Sequence, residues 1–298
     1  PDLPLINKAS MDSLPIKVQL LGTCGPRPDP HRNGPATLVM VGDEPVLFDV
    51  GRGVVVQTVR AGVPLKALRH VFITHHHFDH IGDLYDIGLS SWFAGRHDAL
   101  TIHGPPDTKR ILQALLTQIY DKDIEWRSDG EPTHGGWPPM LGDDVATGLV
   151  FECDRYKVFA EQVVHGHGLD FSPAFLKRWI CYGYRMEVQG KVIVVSGDTV
   201  DCVGLRRLAK GADVLVQCCY LAGEEIDSPH FERLAKFTLA CGDTVGKIAQ
   251  ECGVKSLILT HHRPRGDDVM VEALRREVQR DFSGALVVAN DLDEFVVT

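Results

Sequence analysis

The chain has 298 residues, 44% of them hydrophobic, with 31 basic against 40 acidic side chains and a net charge of -9. That length supports one large core without requiring a second domain, and the negative balance repels polyanions and gives no overall electrostatic footprint for nucleic acid. No run reaches the roughly 18 uninterrupted apolar residues of a membrane-spanning helix, and eight cysteines without a CxxC pair argue against a disulfide scaffold. A soluble chain whose cysteines pack as free thiols is expected, and the compartment stays open, with a cytoplasmic one favoured over export.

Short runs rich in Val, Ile and Leu, each ending at Gly or a polar turn, predict strands at IKVQLLG from Ile16, ATLVMVG from Ala36, PVLFDVG from Pro45, RHVFITH from Arg69 and ALTIHG from Ala99. Apolar spacings of three and four predict helices over 54–61, 83–93 and 107–120. The span 121–144, rich in Gly, Pro and charge, reads as a long loop or lid. The same grammar then returns in GLVFECD, YKVFAEQVVH, CYGYRMEVQGKVIVVSGD, ADVLVQCCY, VKSLILTHH and GALVVANDLDEFVVT, with Gln189-Gly190 as a hairpin turn. Helices are predicted over 203–210, 231–252 and 267–281. No fixed-period repeat is visible, so any duplication is one of architecture. The order implies an α/β fold of two mixed β-sheets packed together and flanked by helices, in one domain spanning 1–298.

THHHFDH, from Thr74 to His80, lies just past the apolar strand VFIT, where sheets of this kind present ligands. A solvated histidine run is the plain alternative, but His-x-His-x-Asp-His supplies neutral imidazoles and a carboxylate, a set suited to zinc or a similar metal. Further candidates follow other predicted strands: His165 and His167 in VVHGHG, Asp198 in SGDT, and His261 and His262 in LTHH. Singly, Asp198 reads as a helix cap and the histidines as turn residues. Together they exceed what one tetrahedral ion uses. The GTCG turn around Cys24 reads as a packed small residue rather than a nucleophile.

THHHFDH, VVHG, SGDT and LILTHH, in that order, resemble the metallo-β-lactamase superfamily over nearly the whole chain. The resemblance implies a four-layer αβ/βα sandwich with two zinc ions per chain. His75, His77 and His165 would hold one ion, Asp79, His80 and His261 the other, and Asp198 would bridge them. Asp49, in LFDVG, would orient ligand loops, with a turn carboxylate as the alternative. His167 competes with His165, and His262 with His261. His76 is extra, and fits a supporting or interface position better than a third metal site.

Within that superfamily, LLGTCGPRPDPHRNGPATLVMVGDEPVLFDVGRG and LTIHGPPDTKRIL look like the branch of ribonuclease Z and its arylsulfatase-like relatives. Those relatives carry a histidine followed by small hydroxyl residues where this chain reads FTLACGD. With the acidic balance, that departure sets the expectation of a small-molecule substrate rather than nucleic acid. The expected activity is a metal-dependent hydrolase in which Asp79 and Asp198 orient a metal-activated hydroxide. Phe78, Trp92 and Trp179, with Trp126 and Trp137, are expected to rim a pocket for an aromatic or apolar molecule. Ester, lactone or sulfate-ester cleavage and hydrolytic dehalogenation of an electron-poor aryl halide fit this chemistry. A ribonuclease Z-like phosphodiesterase and a non-catalytic metal-binding protein on the same fold are the alternatives. No membrane partner is expected, and the branch implies a homodimer.

Overall fold

Most strands of the protein are apolar on both faces, and the reason lies in the layers around them. The computed structural model describes residues 14–130, 135–264 and 269–298. The first half holds β1 Ile16–Gly22, β2 Ala36–Val41, β3 Glu44–Phe48, β4 His70–Phe72, β5 Leu100–Gly104 and β6 Met140–Asp144. The second holds β7 Gly148–Glu152, β8 Tyr156–Gln162, β9 Tyr182–Val188, β10 Lys191–Val195, β11 Val214–Cys218, β12 Ser256–Thr260, β13 Ala285–Val288 and β14 Glu294–Val296. Two seven-stranded sheets result, in the orders β14-β1-β2-β3-β4-β5-β6 and β13-β12-β11-β10-β9-β8-β7. Each runs antiparallel through four strands and parallel through the other three pairings, so the duplication is architectural.

Alternating side chains serve two cores at once. In β3, Val46 and Phe48 enter the layer between the sheets while Leu47 faces the outer helices. In β12, Ile258 points between the sheets and Leu257 and Leu259 point outward. The first outer layer contains α1 Val54–Arg60, α2 Phe78–Ile81, α3 Leu84–Phe93, α4 Thr108–Ala114 and α5 Asp121–Glu125. The second-half helices are α6 Pro173–Arg178, α7 Val203–Ala209, α8 Pro229–Phe237, α9 Gly242–Glu251 and α10 Val269–Asp281. Gln189 and Gly190 both take positive φ, which gives the β9–β10 hairpin its tight turn.

Two expectations need correction. Residues 231–252 are not one helix, because Ala240 and Gly242 turn their N–H groups to Thr199 and Leu221 and break the run between α8 and α9. The segment 121–144 contains α5, a wider helical turn at Trp126–Gly130 and the edge strand β6, with residues 131–134 outside the described ones. The helix read over 267–281 is described from Val269, its first two residues lying outside. Among the described residues no helix is long and apolar enough to cross a membrane.

Asp291, between β13 and β14, clamps the loop after β1 to the second sheet. Its Oδ1 accepts from the Thr23 N–H and hydroxyl, and its Oδ2 from the Asn33 N–H, Asn33 Nδ2 and Gln57 Nε2. Removing the acceptor strands all five donors, so Asp291→Ala should cost about 3 kcal/mol of unfolding free energy, read by urea titration. A change under about 0.5 kcal/mol would show that water replaces the carboxylate.

A second polar chain crosses β6, β5 and β4. Asp143 accepts from His103 Nδ1 at 2.8 Å, which leaves His103 Nε2 to accept from His70 Nδ1 at 3.1 Å. Burial, then the neighbouring His103 and Arg69, push the His70 ring down to about 4. In the unfolded chain it titrates near about 6.5, so its contribution is constant above that pH. Stability then falls between about 6.5 and 4, where only the unfolded chain takes the proton. His70→Phe keeps a ring against Phe151, now 4.1 Å away, and should flatten this acid limb of the melting temperature. An unchanged limb refutes the assignment.

Candidate metal centre

Five strand ends deliver the site: Asp49 after β3, the segment 74–80 after β4, His165 after β8, Asp198 after β10 and His261 after β12. Asp49 and His261 both take the left-handed conformation, with φ of 62° each, uncommon outside glycine although Asp and His enter it more readily than most side chains. Such turns aim a side chain along the sheet edge instead of letting the strand continue. Gly25 permits the approach from the other side, since a Cβ there would meet His261 at 2.9 Å and Tyr220 at 3.0 Å.

Two groups of donor atoms gather, His75, His77, His165 and Asp198 in one, and Asp79, His80 and His261 in the other, each group within 4.8 Å of itself. Asp198 faces both, with Oδ2 3.9 Å from His75 Nε2, 3.8 Å from His165 Nε2 and 3.3 Å from His261 Nε2, and Oδ1 3.5 Å from His80 Nε2. Ring nitrogens also crowd one another, His75 Nε2 lying 3.0 Å from His77 Nδ1 and His80 Nε2 3.3 Å from His261 Nε2. The buried Asp79 Oδ2 and Asp198 Oδ1 accept no hydrogen bond. Buried carboxylate oxygens without donors, surrounded by imidazoles turned nitrogen-first toward them, fit divalent cations better than they fit each other.

Hydrogen bonds behind the cluster fix the rings. Asp49 Oδ1 accepts from the Thr74 N–H at 2.7 Å, and its Oδ2 from the Thr74 hydroxyl at 2.8 Å and from His80 Nδ1 at 2.7 Å. His80 therefore presents Nε2 to the site. His165 Nδ1 donates to the Thr238 carbonyl at 2.7 Å, in the break between α8 and α9, and so presents Nε2 as well. Burial opposes charge on His80, but the attraction of Asp198 and Asp49 outweighs it and lifts the ring well above its usual range. His75 lies well below that range through burial, and burial also takes His77 down to about 4.

The structure separates the competing histidines. His167 stays outside the cluster, its Nδ1 accepting from the His165 N–H and its Nε2 donating to the Trp179 carbonyl. His262 Nε2 contacts the Ala289 carbonyl at the seam between the sheets. His76 Nε2 meets the Thr108 hydroxyl at 2.8 Å and points away from the donor groups. The Cys24 thiol donates to the Arg27 carbonyl, and burial pushes it up to about 11, so it offers no thiolate near neutrality.

The expected aromatic rim is corrected at Trp92, Trp137, Phe78 and Trp126. Trp92 is fully buried on α3 against Trp137, and Phe78 is exposed beneath Arg52. Trp126 is exposed too. Trp179 does lie at the site, 4.8 Å from the His77 ring, with its Nε1 donating to the His165 carbonyl. A cavity of about 220 Å³ runs from the donor groups to Pro26, Arg27, Tyr220 and the α8 face of His230, Phe231 and Leu234. Sequence reasoning missed this α8 wall. Its signal is Ser228-Pro229, a capped helix start, followed by apolar residues three apart on an otherwise polar helix.

Imidazoles and carboxylates gathered at the strand ends of such a sandwich define a metal-dependent hydrolase. The family model for the β-lactamase superfamily domain matches residues 45–262, and with this fold and donor set the chain belongs to the metallo-β-lactamase superfamily. Ribonuclease Z of Mycobacterium bovis (strain BCG / Pasteur 1173P2) is 32% identical over 282 residues, 93% of this chain and 96% of that protein. Among solved structures, the metallo-β-lactamase fold protein YhfI from Bacillus subtilis has a TM-score of 0.71 at 21% identity, covering 95% of this chain and 100% of that one. The short form of human tRNase Z has a TM-score of 0.66 at 20% identity, covering 95% and 99%. The relative named ribonuclease Z overturns the expectation of a small-molecule substrate over nucleic acid, favours the ribonuclease Z-like alternative, and gives hydrolytic dehalogenation no support.

Asp49→Asn removes charge from behind Thr74 and His80 without removing a donor of the cluster. Metal affinity, measured by chelator competition, should fall about 10- to 100-fold. An unchanged affinity would reduce Asp49 to a turn residue.

Proposed function

We propose that the protein is a ribonuclease Z-like phosphodiesterase that cleaves RNA with two metal ions, zinc being the cation its donors suit best. The observation that carries this reading is the 32% identity to a ribonuclease Z across 93% of the chain and 96% of that relative, joined to a complete set of donors. His75, His77 and His165 would hold one ion, Asp79, His80 and His261 the other, with Asp198 between them. When bound, such a pair supplies a water-derived nucleophile at neutral pH and offsets charge on the attacked phosphoryl group.

The chain's own residues do the remaining work. Asp79 and Asp198, each with an oxygen free of hydrogen bonds, are placed to orient the attacking water and accept its proton. Asp49 and the Thr238 carbonyl keep His80 and His165 in one tautomer. Arg27, at the cavity, supplies positive charge toward a phosphate. Residues 238–241, the break between the helices, hold neither imidazole nor carboxylate, and the cavity's imidazole outside the donor groups is His230 on α8.

Metal-loaded protein should cleave RNA, tRNA transcripts included, and lose that activity with a chelator. Asp198→Ala should lower both metal content and rate, the rate by at least about 100-fold. Turnover of aryl esters with intact RNA would overturn the reading, and unchanged metal content and rate in Asp198→Ala would remove that residue from between the ions.

A further inference from the structure

Between the metal centre and solvent stands a series of rings that the chemistry of hydrolysis does not use. Phe171 and Phe175 lie 4.7 Å apart, Phe175 stacks on Trp179 at 5.6 Å and 16°, and Trp179 meets the His77 ring at 4.8 Å. The outer two are 43% and 38% exposed, an unusual state for neighbouring phenylalanines unless something covers them. Phe175 and Trp179 divide two recesses. One, about 200 Å³, reaches His77 and His165 and is apolar, with Phe171 and Leu169 on its wall. The other, about 180 Å³, holds Arg110 and Arg178.

The charge on that second side is locally reversed. Arg110 Nε bonds Asp107 Oδ1 at 2.8 Å and Arg178 Nη2 lies 4.0 Å from Asp107 Oδ2, so two guanidiniums share one carboxylate. Both guanidinium side chains are mostly exposed, on a chain whose net charge is -9. Aromatic faces beside spare cationic groups are what a single-stranded nucleic acid needs, because every base has a π face and every linkage a phosphate.

We infer that α6 and the residues flanking it form a subsite for one unpaired nucleotide next to the scissile phosphate. The base stacks against Phe171 and Phe175 in the apolar recess, and the adjoining phosphate meets Arg110 and Arg178. The inference rests on the phosphodiesterase reading and adds to it the surface of this chain that receives the nucleotide. Hydrogen bonds to base edges have no part in it, so the subsite tolerates any base.

Steady-state cleavage by the metal-loaded full chain tests this, with an RNA and a set of matched RNAs in which a single abasic position is walked across the cleaved bond. Phe175→Ala should raise KM for the intact RNA about tenfold, with kcat and metal content unchanged. Phe175→Leu, which keeps apolar bulk and loses the ring, should do the same. For the RNA abasic at the stacked position the effect should vanish. Arg110→Gln with Arg178→Gln should make log KM less steep in log salt by about 0.7 for each phosphate that is no longer neutralised. An unchanged KM in both Phe175 variants, or an equal rise with every abasic RNA, overturns the subsite while leaving the enzyme a ribonuclease. Failure of the wild type to cleave any RNA sinks the phosphodiesterase reading, and the subsite with it.

Discussion

The carboxylate of Asp49 receives three hydrogen bonds in the interior of the protein, two from Thr74 and one from His80, and the order of the donor cluster depends on them. A buried carboxylate so satisfied is stable, and one with a donor removed is not. It fixes the first residue of the 74–80 segment and one of its last, so the intervening histidines have little freedom. The left-handed backbone at Asp49 and at His261 costs about 1–3 kcal/mol per residue, and only a surrounding structure that overdetermines it can hold it. Here that structure is the layer between the sheets, in which Phe48, immediately before Asp49, stacks on Phe72. Packing between the sheets is thus converted into the aim of side chains at their edge.

Most strands are legible because they serve two cores and are rich in apolar residues, and the donor segment because its histidines directly follow such a run. Other parts of the site lie beyond sequence patterning. The apolar spacing across residues 231–252 suits one helix, yet the break at 238–241 is made by hydrogen bonds to Thr199 and Leu221, far away in the chain. Trp92 carries the same letter as Trp179, and only topology puts one on the buried face of α3 and the other beside His77. The pair in HGH becomes distinguishable only through the Trp179 carbonyl, which takes His167. β14 follows β13 closely in the chain, and instead of pairing with it crosses to the first sheet and pairs with β1.

Net charge misleads for a related reason. A value of -9 describes a distant field, whereas a strand of nucleic acid at contact range feels groups within about a Debye length of 8–10 Å. Much of the acidic surplus is tied up locally. Asp201 and Glu251 both bond Arg206, and Asp43 and Glu44 both engage Arg155, on surfaces of the second half and at the β2–β3 turn. Beside the metal centre the count reverses, since Arg110 and Arg178 share Asp107, and Arg27 enters the cavity. Composition averaged over the chain could not report this segregation.

The break between α8 and α9 joins two properties that are usually separable. Thr238 supplies the carbonyl that fixes the His165 ring, and the same residue lines both the cavity at the donor groups and the apolar recess beside it. Leu239 and the α8 residues Phe231 and Leu234 form the adjoining wall. A change that reshapes this wall by moving the backbone of α8 therefore moves the acceptor behind a donor of the cluster. Side-chain substitutions on the exposed turns of α8 escape that coupling, as do those on α6, after which the Trp179 carbonyl bonds His167, outside the donor cluster. Substrate preference in this protein can thus vary most freely through the side chains of α6 and α8, while the path of the chain through 238–241 stays tied to the geometry of His165.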